Sequence, residues 1–338
     1  MSVRSAFARF ASSLELGDEE KAYARECYTK AFATLTALPK WQRDFLSGST
    51  GRYTRLTPVN DVDLIVVCED ASAWKEDPVA ALEACRDLLK PIFPGAHTRL
   101  GAHAMKIYPD GASTPGFHLD VVVAVPSGDG GTVLRITEPK SDTGWLRSDP
   151  EEHAAALSAR NAAWAGRIVP AIKMLKSWNR RRGKVLNSFH LEALVLRILE
   201  ERGDLEYAPL MERLFGDMAV AVLTPTTNPA VPDGYVDGEL SDEERGAIAD
   251  ELQSAADAAS EAIAAADDEI RAQQLWHDLF GDPYPAPDDD DRKEAVAAAI
   301  RTGSAKIGVG GAVVTGSALG RVPLPTRSFG DDDEDADA

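Results

Sequence analysis

The chain has 338 residues, of which 44% are hydrophobic and 27% are charged, proportions typical of a soluble globular protein with a large core. No apolar run approaches the roughly 20 residues that a membrane-spanning helix needs, and the N-terminus lacks the apolar core of a signal peptide, which predicts a cytoplasmic protein. The formal net charge of −19 argues against direct binding of duplex DNA, because such binding depends on Lys and Arg.

The charge is unevenly distributed along the chain. Between Arg160 and Lys184 there are eight Lys or Arg residues and no acid, whereas acids concentrate at Asp288–Asp291 and in the tail Asp331–Ala338. A basic segment in an acidic protein indicates a local site for an anion. The three cysteines stand singly, without a Cys-x-x-Cys or Cys/His cluster, so neither a disulfide framework nor a structural zinc site is expected.

The first half of the chain predicts both helices and strands. Acidic residues open a helix over residues 18–37, and "PVAALEACRDLLKPIF" is a second helical segment that stops at a proline. Strands rich in apolar and β-branched residues are predicted at "DVDLIVVC", "TRLGAHAMKIY", "FHLDVVVAVP" and "TVLRIT". This order predicts an α+β fold, a palm with a mixed sheet.

The second half predicts helices. Asp149 is a capping acid with Pro150 at the first helical position, and helical periodicity continues to Trp178, with Pro170 predicted to kink or break it. A largely apolar helix begins at "NSFHLEALVLRILEE". A Ser-x-x-Glu capping box at Ser241 opens one long Ala-rich helix that reaches "WHDLF".

An Asp-x-Asp pair begins the strand "DVDLIVVC". Asp61 and Asp63 are two residues apart and point to the same face of the strand, where two carboxylates repel each other unless a cation lies between them. Asp120, in "FHLDVVVAVP", is a third acid within an apolar strand. Carboxylates from neighbouring strands suit two Mg²⁺ ions, with Mn²⁺ as an alternative, and two such ions favour nucleotidyl transfer. The alternative is a purely structural role, in which each aspartate caps a strand or a turn.

A short loop precedes the aspartates. Gly48 lets backbone N–H groups approach phosphate oxygens closely, and the hydroxyl of Ser49 adds a donor. Arg52 and Arg55 in the same loop either reach phosphate or are solvated.

Further candidates lie in the basic segment and at the start of the next helix. Lys173 and Lys176 are three residues apart on one helix face, which indicates either phosphate binding or a solvated basic face. Ser188 either caps its helix or contacts phosphate there, and the two roles are compatible. Phe189 either stacks on a nucleobase or belongs to the core. Three histidines show no ligand spacing and are interpreted as structural: His103, His118 and His190.

Together these segments resemble a known family. "GSTGRYTRLTPVNDVDLIV" resembles the nucleotidyltransferase signature of a Gly-[Gly/Ser] pair, a loop and two alternating acids, and "FHLDVVVAVP" resembles its third-acid strand. "IVPAIKMLKSWN" with "LNSFHLEAL" is similar to the helical half of the bacterial cGAS/DncV-like nucleotidyltransferases, the CD-NTases of CBASS antiphage defence, and "WHDLFGDPYP" to their closing segment. The resemblance covers roughly residues 40–286 and implies a polymerase-β-like palm followed by a helical domain.

The resemblance also implies roles for the candidate residues. Asp61, Asp63 and Asp120 resemble the catalytic triad that holds Mg²⁺. The implied nucleotide-binding residues are Gly48, Ser49, Lys173, Lys176, Ser188 and Phe189. The implied reaction is synthesis of a cyclic di- or trinucleotide second messenger from NTPs, ATP among them, and the implied partners are an effector that the messenger activates and a regulatory or conjugating protein. The absence of a Cys/His zinc insertion argues against activation by duplex DNA.

We expect three parts: a palm with an N-terminal spine helix over residues 1–148, a helical domain completing the nucleotide site over residues 149–326, and a disordered acidic tail over residues 327–338. Two other functions stay open at this point. One is a nucleotidyltransferase of the same superfamily that modifies RNA, a protein or a small molecule. The other is a catalytically silent nucleotide-binding scaffold.

Overall fold

A mixed sheet and a group of helices form the described part of the chain. The computed structural model describes residues 1–112, 114–128, 130–229, 231, 234–287, 306–307 and 313–314. The acidic run Asp288–Asp291 and the predicted disordered tail lie outside the described residues.

The sheet has seven strands. In chain order they are β1 (Trp41–Leu46), β2 (Asp61–Cys68), β3 (His97–Leu100), β4 (Met105–Tyr108), β5 (His118–Pro126), β6 (Leu134–Thr137) and β7 (Trp145–Ser148). Their spatial order is β1-β2-β5-β4-β3, and β6 pairs with both β5 and β7. β2 and β5 are parallel while the other pairs are antiparallel, which confirms the predicted mixed sheet. A separate short pair is formed by β8 (Lys306–Ile307) and β9 (Val313–Val314).

Ten helices lie in the described ranges. They are α1 (Val3–Ser13), α2 (Asp18–Leu35), α3 (Gly48–Gly51), α4 (Pro78–Leu89), α5 (Pro150–Ala163), α6 (Ile168–Arg181), α7 (Ser188–Ile198), α8 (Tyr207–Ala221), α9 (Asp242–Ala264) and α10 (Glu269–Phe280). A 3₁₀ turn covers Ser72–Trp74.

Alternation along β2 gives the sheet two different faces. Leu64 and Val66 point into a core between the sheet and the helices α2 and α4. Leu35 of α2 and Leu82 of α4 are buried in the same core. The odd-numbered residues point to the other face, which begins with the two aspartates. The period of two therefore separates the core of the palm from its polar face.

The remaining helices enclose a second core. Trp178 of α6, Phe215 of α8 and Phe280 of α10 are fully buried there and contact one another through their rings. The first helix joins this core and not the sheet, because Phe7 and Phe10 of α1 are buried within the same cluster. The N-terminal eleven-residue helix therefore packs on the helical half of the molecule.

Two predicted helices are interrupted. Asp149 caps α5 as predicted, with its carboxylate accepting a bond from the N–H of Glu152. The break between α5 and α6 lies at residues 164–167, where Gly166 has a φ of 80°, and so precedes Pro170. Pro170 is the third residue of α6, a position in the first turn where its missing N–H costs no helical bond. The prediction of a break at Pro170 was wrong by three to six residues.

The predicted long Ala-rich helix is also two helices. Ser241 and Glu244 form the predicted capping box at the start of α9. The helix ends at Ala264, and Asp268 begins α10 by accepting a bond from the N–H of Arg271. A single strand predicted at "TRLGAHAMKIY" is likewise the hairpin of β3 and β4.

Candidate active site

Three carboxylates meet on the polar face of the sheet. The parallel register pairs Asp63 of β2 directly with Asp120 of β5, and Asp61 with His118. Each of the three aspartates offers an oxygen that lies within 4.8 Å of the others. The side chains are partly buried, so they are held in place and still reach solvent. The triad predicted from sequence is thus assembled by one strand pairing.

The three carboxylates of the triad repel one another. Burial, followed by the nearby charges of Asp61 and Asp120, raises the pKa of Asp63 to about 7, while Arg52 and His118 oppose this. A carboxylate held this way gains stability when a cation arrives. Mg²⁺ prefers hard oxygen ligands, so three carboxylates clustered at this spacing fit such an ion.

Gly48 lies against the triad. Its φ is +54°, in the left-handed region, and a Cβ at this position would come within 1.6 Å of Oδ2 of Asp63. The N–H of Ser47 donates to the carbonyl oxygen of Asp63 at 2.9 Å, which holds the loop beside the strand. Gly48 and Ser49 open the short helix α3, so the predicted phosphate-loop residues are next to the predicted metal ligands.

The two lysines of α6 are placed differently from what the basic pattern suggested. Both are buried, with Lys173 4% and Lys176 6% exposed. Lys173 donates to Glu15 at 2.5 Å. Lys176 donates to Glu192 at 2.5 Å and to the hydroxyl of Thr54 at 2.9 Å. Neither lysine forms a solvated face, and both ammonium groups have carboxylate partners, Glu192 being buried and Glu15 exposed.

Glu192 was missed by sequence reasoning. It is fully buried and accepts bonds from Lys176, from Nε of Arg52 at 2.5 Å and from Thr54 at 2.6 Å. Although burial alone would raise it, the charges of Lys176 and Arg52 lower the pKa of Glu192 to about 2. The available signal was a single acid inside the apolar run "HLEALVL", since an isolated buried charge requires a partner. This network ties the loop after Gly48 to α6 and α7.

Ser188 and Phe189 begin α7. The helix cap is Asn187, whose side chain accepts a bond from the N–H of Phe189, so the prediction of Ser188 as the cap was wrong by one position. Ser188 is exposed and remains available to a ligand. Phe189 is partly buried, with its ring 4.8 Å from that of His153 and 5.9 Å from the guanidinium of Arg52.

The three histidines interpreted as structural have different surroundings. His190 is buried, bonds to Thr226 at 3.1 Å, and its pKa is lowered to about 4, mainly by burial. His103 pairs with Glu138 away from the triad. His118 lies 3.4 Å from Asp120 and stacks on Tyr108, so it borders the candidate site.

Known proteins are similar to this chain in sequence and in fold. A family model described as Second Messenger Oligonucleotide or Dinucleotide Synthetase domain matches residues 1–161. The structure of E. coli MS115-1 CdnC with ATP has a TM-score of 0.68 and 20% identity over 85% of this chain and 99% of that one. The structure of the E. coli MS115-1 CdnC:HORMA-deltaN complex has a TM-score of 0.66 and 20% identity, and the match covers 84% of this chain and 98% of that one. A curated relative, "Cyclic AMP-AMP-AMP synthase" from Acinetobacter sp. (strain ATCC 27244 / 9458), is 25% identical over 259 residues, 71% of this chain and 72% of its own length.

The chain shares the polymerase-β-like fold of these structures, a mixed sheet followed by helices, and the three aspartates lie on its sheet. The chain is similar to the cGAS/DncV-like nucleotidyltransferases, the CD-NTases, as its sequence resemblance predicted. Its homologues are cyclic oligonucleotide synthases. Within the residues that the structure describes, none of the helices is both long enough and apolar enough to span a bilayer.

Proposed function

We propose that this protein is a Mg²⁺-dependent enzyme that joins NTPs, ATP among them, into a cyclic di- or trinucleotide second messenger of antiphage defence. The observation that carries the proposal is the triad, with three carboxylates within 4.8 Å on two parallel strands. The family match and the curated relative support the class of product. A silent scaffold would gain nothing from a cluster that raises the pKa of its own member Asp63.

The residues that would hold Mg²⁺ are Asp61, Asp63 and Asp120. When bound, such ions stabilise negative charge on phosphate oxygens and favour ionisation of an attacking hydroxyl group. Because Gly48 has no side chain, the loop lies in contact with Asp63, and we propose that the triphosphate contacts the loop beside this carboxylate, with Ser49 as a further donor.

The helical half would supply the rest of the nucleotide site. We propose that exposed Ser188 donates to phosphate and that Phe189 stacks on a base, its ring held by His153 and Arg52. Because both lysines are paired with carboxylates, we assign them positioning roles, Lys176 through the loop and α7 and Lys173 through Glu15. Arg180 is exposed on the same helix and interacts electrostatically with Asp61, and we propose it as the phosphate-facing cation of α6.

The test is synthesis without an acceptor. Purified protein is incubated with Mg²⁺ and labelled NTPs, singly and mixed, and phosphatase-resistant products are identified by mass spectrometry. We expect a cyclic oligonucleotide, absent from Asp63→Asn and retained in Asp217→Asn, an exposed acid on α8 that serves as the matched control. Labelling only of added RNA, protein or a small molecule would contradict the proposal and favour transfer to an acceptor.

The proposal extends to partners and domain organisation. The complex of CdnC with HORMA-deltaN supports a regulatory partner for this chain, and the messenger requires an effector. We propose the palm as residues 1–148 and the helical domain as residues 149–326, with α1 packed on the latter. The cytoplasmic location stays a prediction.

A further inference from the structure

A cavity lies on the opposite face of the sheet from the triad. It has a volume of about 220 Å³, opens to solvent and is bordered by α2, β1, β2 and the loop that joins the two strands. Val62 lines it from a position between Asp61 and Asp63, and alternation along the strand therefore turns its side chain away from theirs. Leu46 lines it from β1. The cavity is thus separate from the catalytic face.

Three cations line this cavity. Lys21 and Arg25 project from successive turns of α2, and Arg55 comes from the loop. None of the described residues that line the cavity is an Asp or a Glu. In a chain with 55 acids and 36 Lys or Arg residues, such a concentration of positive charge creates a local site for an anion.

These cations are available to a ligand. Among the described residues, Arg25 makes neither an ion pair nor a hydrogen bond, and its side chain is exposed. Lys21 forms an ion pair with the exposed Asp18 at 3.7 Å. Within the described part of the chain, Arg55 donates one hydrogen bond, to the carbonyl oxygen of Thr50 at a long 3.5 Å. A bound anion would therefore complete the cluster without breaking an internal salt bridge.

A residue with a buried hydroxyl group lines the same cavity. Thr50 is 6% exposed, and its Oγ1 has no hydrogen-bond partner among the described residues. A buried hydroxyl without a partner costs free energy, and a ligand oxygen that accepts its proton would remove this cost.

We propose that this cavity binds a small phosphate ester, no larger than a mononucleotide. Guanidinium and ammonium groups with a hydroxyl donor match phosphate oxygens, and the apolar side chains of Leu46 and Val62 cover the organic part of the ligand. The volume is below the roughly 300–1,000 Å³ of drug-sized sites, which favours a compact ligand.

The position of the cavity gives the ligand a consequence that depends on the proposed function. Thr50 follows Ser49 directly in α3, and Arg55 contacts the Thr50 carbonyl from the same loop. A ligand would touch this loop from behind, while the NTP would touch it from the catalytic face. Occupancy should therefore change the KM for ATP.

The site is tested by isothermal titration calorimetry in metal-free buffer, with AMP, inorganic phosphate and uncharged adenosine as probes. We expect AMP to bind, phosphate to bind more weakly and adenosine not to bind. Arg25→Ala should weaken AMP binding by roughly tenfold or more, because a charge-assisted contact is lost. Lys30→Ala, a cation on another face of the same helix, should leave it unchanged.

Several results would overturn the site: no binding of AMP or phosphate, adenosine binding as tightly as AMP, or AMP binding that depends on Asp63 and not on Arg25. Calorimetry requires no turnover, so it tests the site independently of the reaction. Arg25-dependent binding by a protein that makes no cyclic product would contradict the proposed function and still support the anion site. For the coupling, AMP should change the KM for ATP in the wild-type protein and not in Arg25→Ala. An equal change in both proteins, or none in either, would overturn it.

Discussion

Gly48 and Asp63 are in contact across the polar face of the sheet, and the contact leaves no room for a side chain at position 48. A Cβ there would lie 1.6 Å from Oδ2 and 2.4 Å from Cγ of Asp63, and the φ of +54° independently favours glycine. The loop and the second aspartate are therefore fitted to each other.

Gly48→Ala should abolish synthesis, because the methyl group must displace Asp63 from the triad. The left-handed backbone alone should cost about 1–2 kcal/mol of unfolding free energy. Gly246→Ala is the control, since this residue lies within α9 with open space around its Cα, and it should gain about 0.5–1 kcal/mol. Urea unfolding and product formation measure the two effects. Full activity of Gly48→Ala would show that Asp63 is not confined by the loop.

Asp63→Asn should abolish turnover while stabilising the metal-free protein above neutral pH. The folded pKa of about 7 lies above the unfolded value, so ionisation of Asp63 destabilises the fold increasingly as pH rises from about 4 to 7. The variant should therefore match the wild type near pH 4 and exceed it in Tm at pH 8. Differential scanning calorimetry in EDTA tests this, and added Mg²⁺ should raise the Tm of the wild type alone. A lower Tm for the variant at pH 8 would contradict the electrostatic account.

Lys176→Ala should reduce folding stability by about 3–5 kcal/mol, because it leaves the carboxylate of Glu192 buried without one of its cations. Ser188→Ala should change stability little, since Ser188 is exposed and Asn187 caps the helix, but should weaken NTP binding. Chemical unfolding and equilibrium NTP binding separate these outcomes. A stable Lys176→Ala protein with selectively weakened NTP binding would restore this lysine as a direct phosphate ligand.

Glu192 should make the fold acid-sensitive. A carboxyl group with a folded pKa of about 2 contributes stability that is fully present above its unfolded pKa near 4.5 and is lost as pH falls from there toward 2. Glu192→Gln should remove this contribution, so the variant should be less stable at pH 7 and show a shallower loss of stability below pH 4.5. Glu26→Gln serves as the control, because Glu26 forms an exposed ion pair with Lys30. Parallel acid-unfolding curves for wild type and Glu192→Gln would refute the assignment.

Local sequence determined the paired aspartates. The period of two along a strand places Asp61 and Asp63 on one face in any sheet, and a Gly-Ser pair at the end of the preceding strand identifies the loop. The capping patterns at Asp149 and Ser241 were also sufficient, because a helix start depends on residues within one turn.

Tertiary structure decided what depended on distant residues. Asp120 joins the other two aspartates only because β2 and β5 pair in parallel with Asp63 opposite it, a register that neither strand specifies alone. Helix spacing left Lys176 either as a phosphate ligand or as a solvated cation. In the structure Lys176 is buried and donates to Glu192 on α7 and to Thr54 in the loop. Burial of a charge depends on which elements pack around it, and this information lies in the fold and not in the segment.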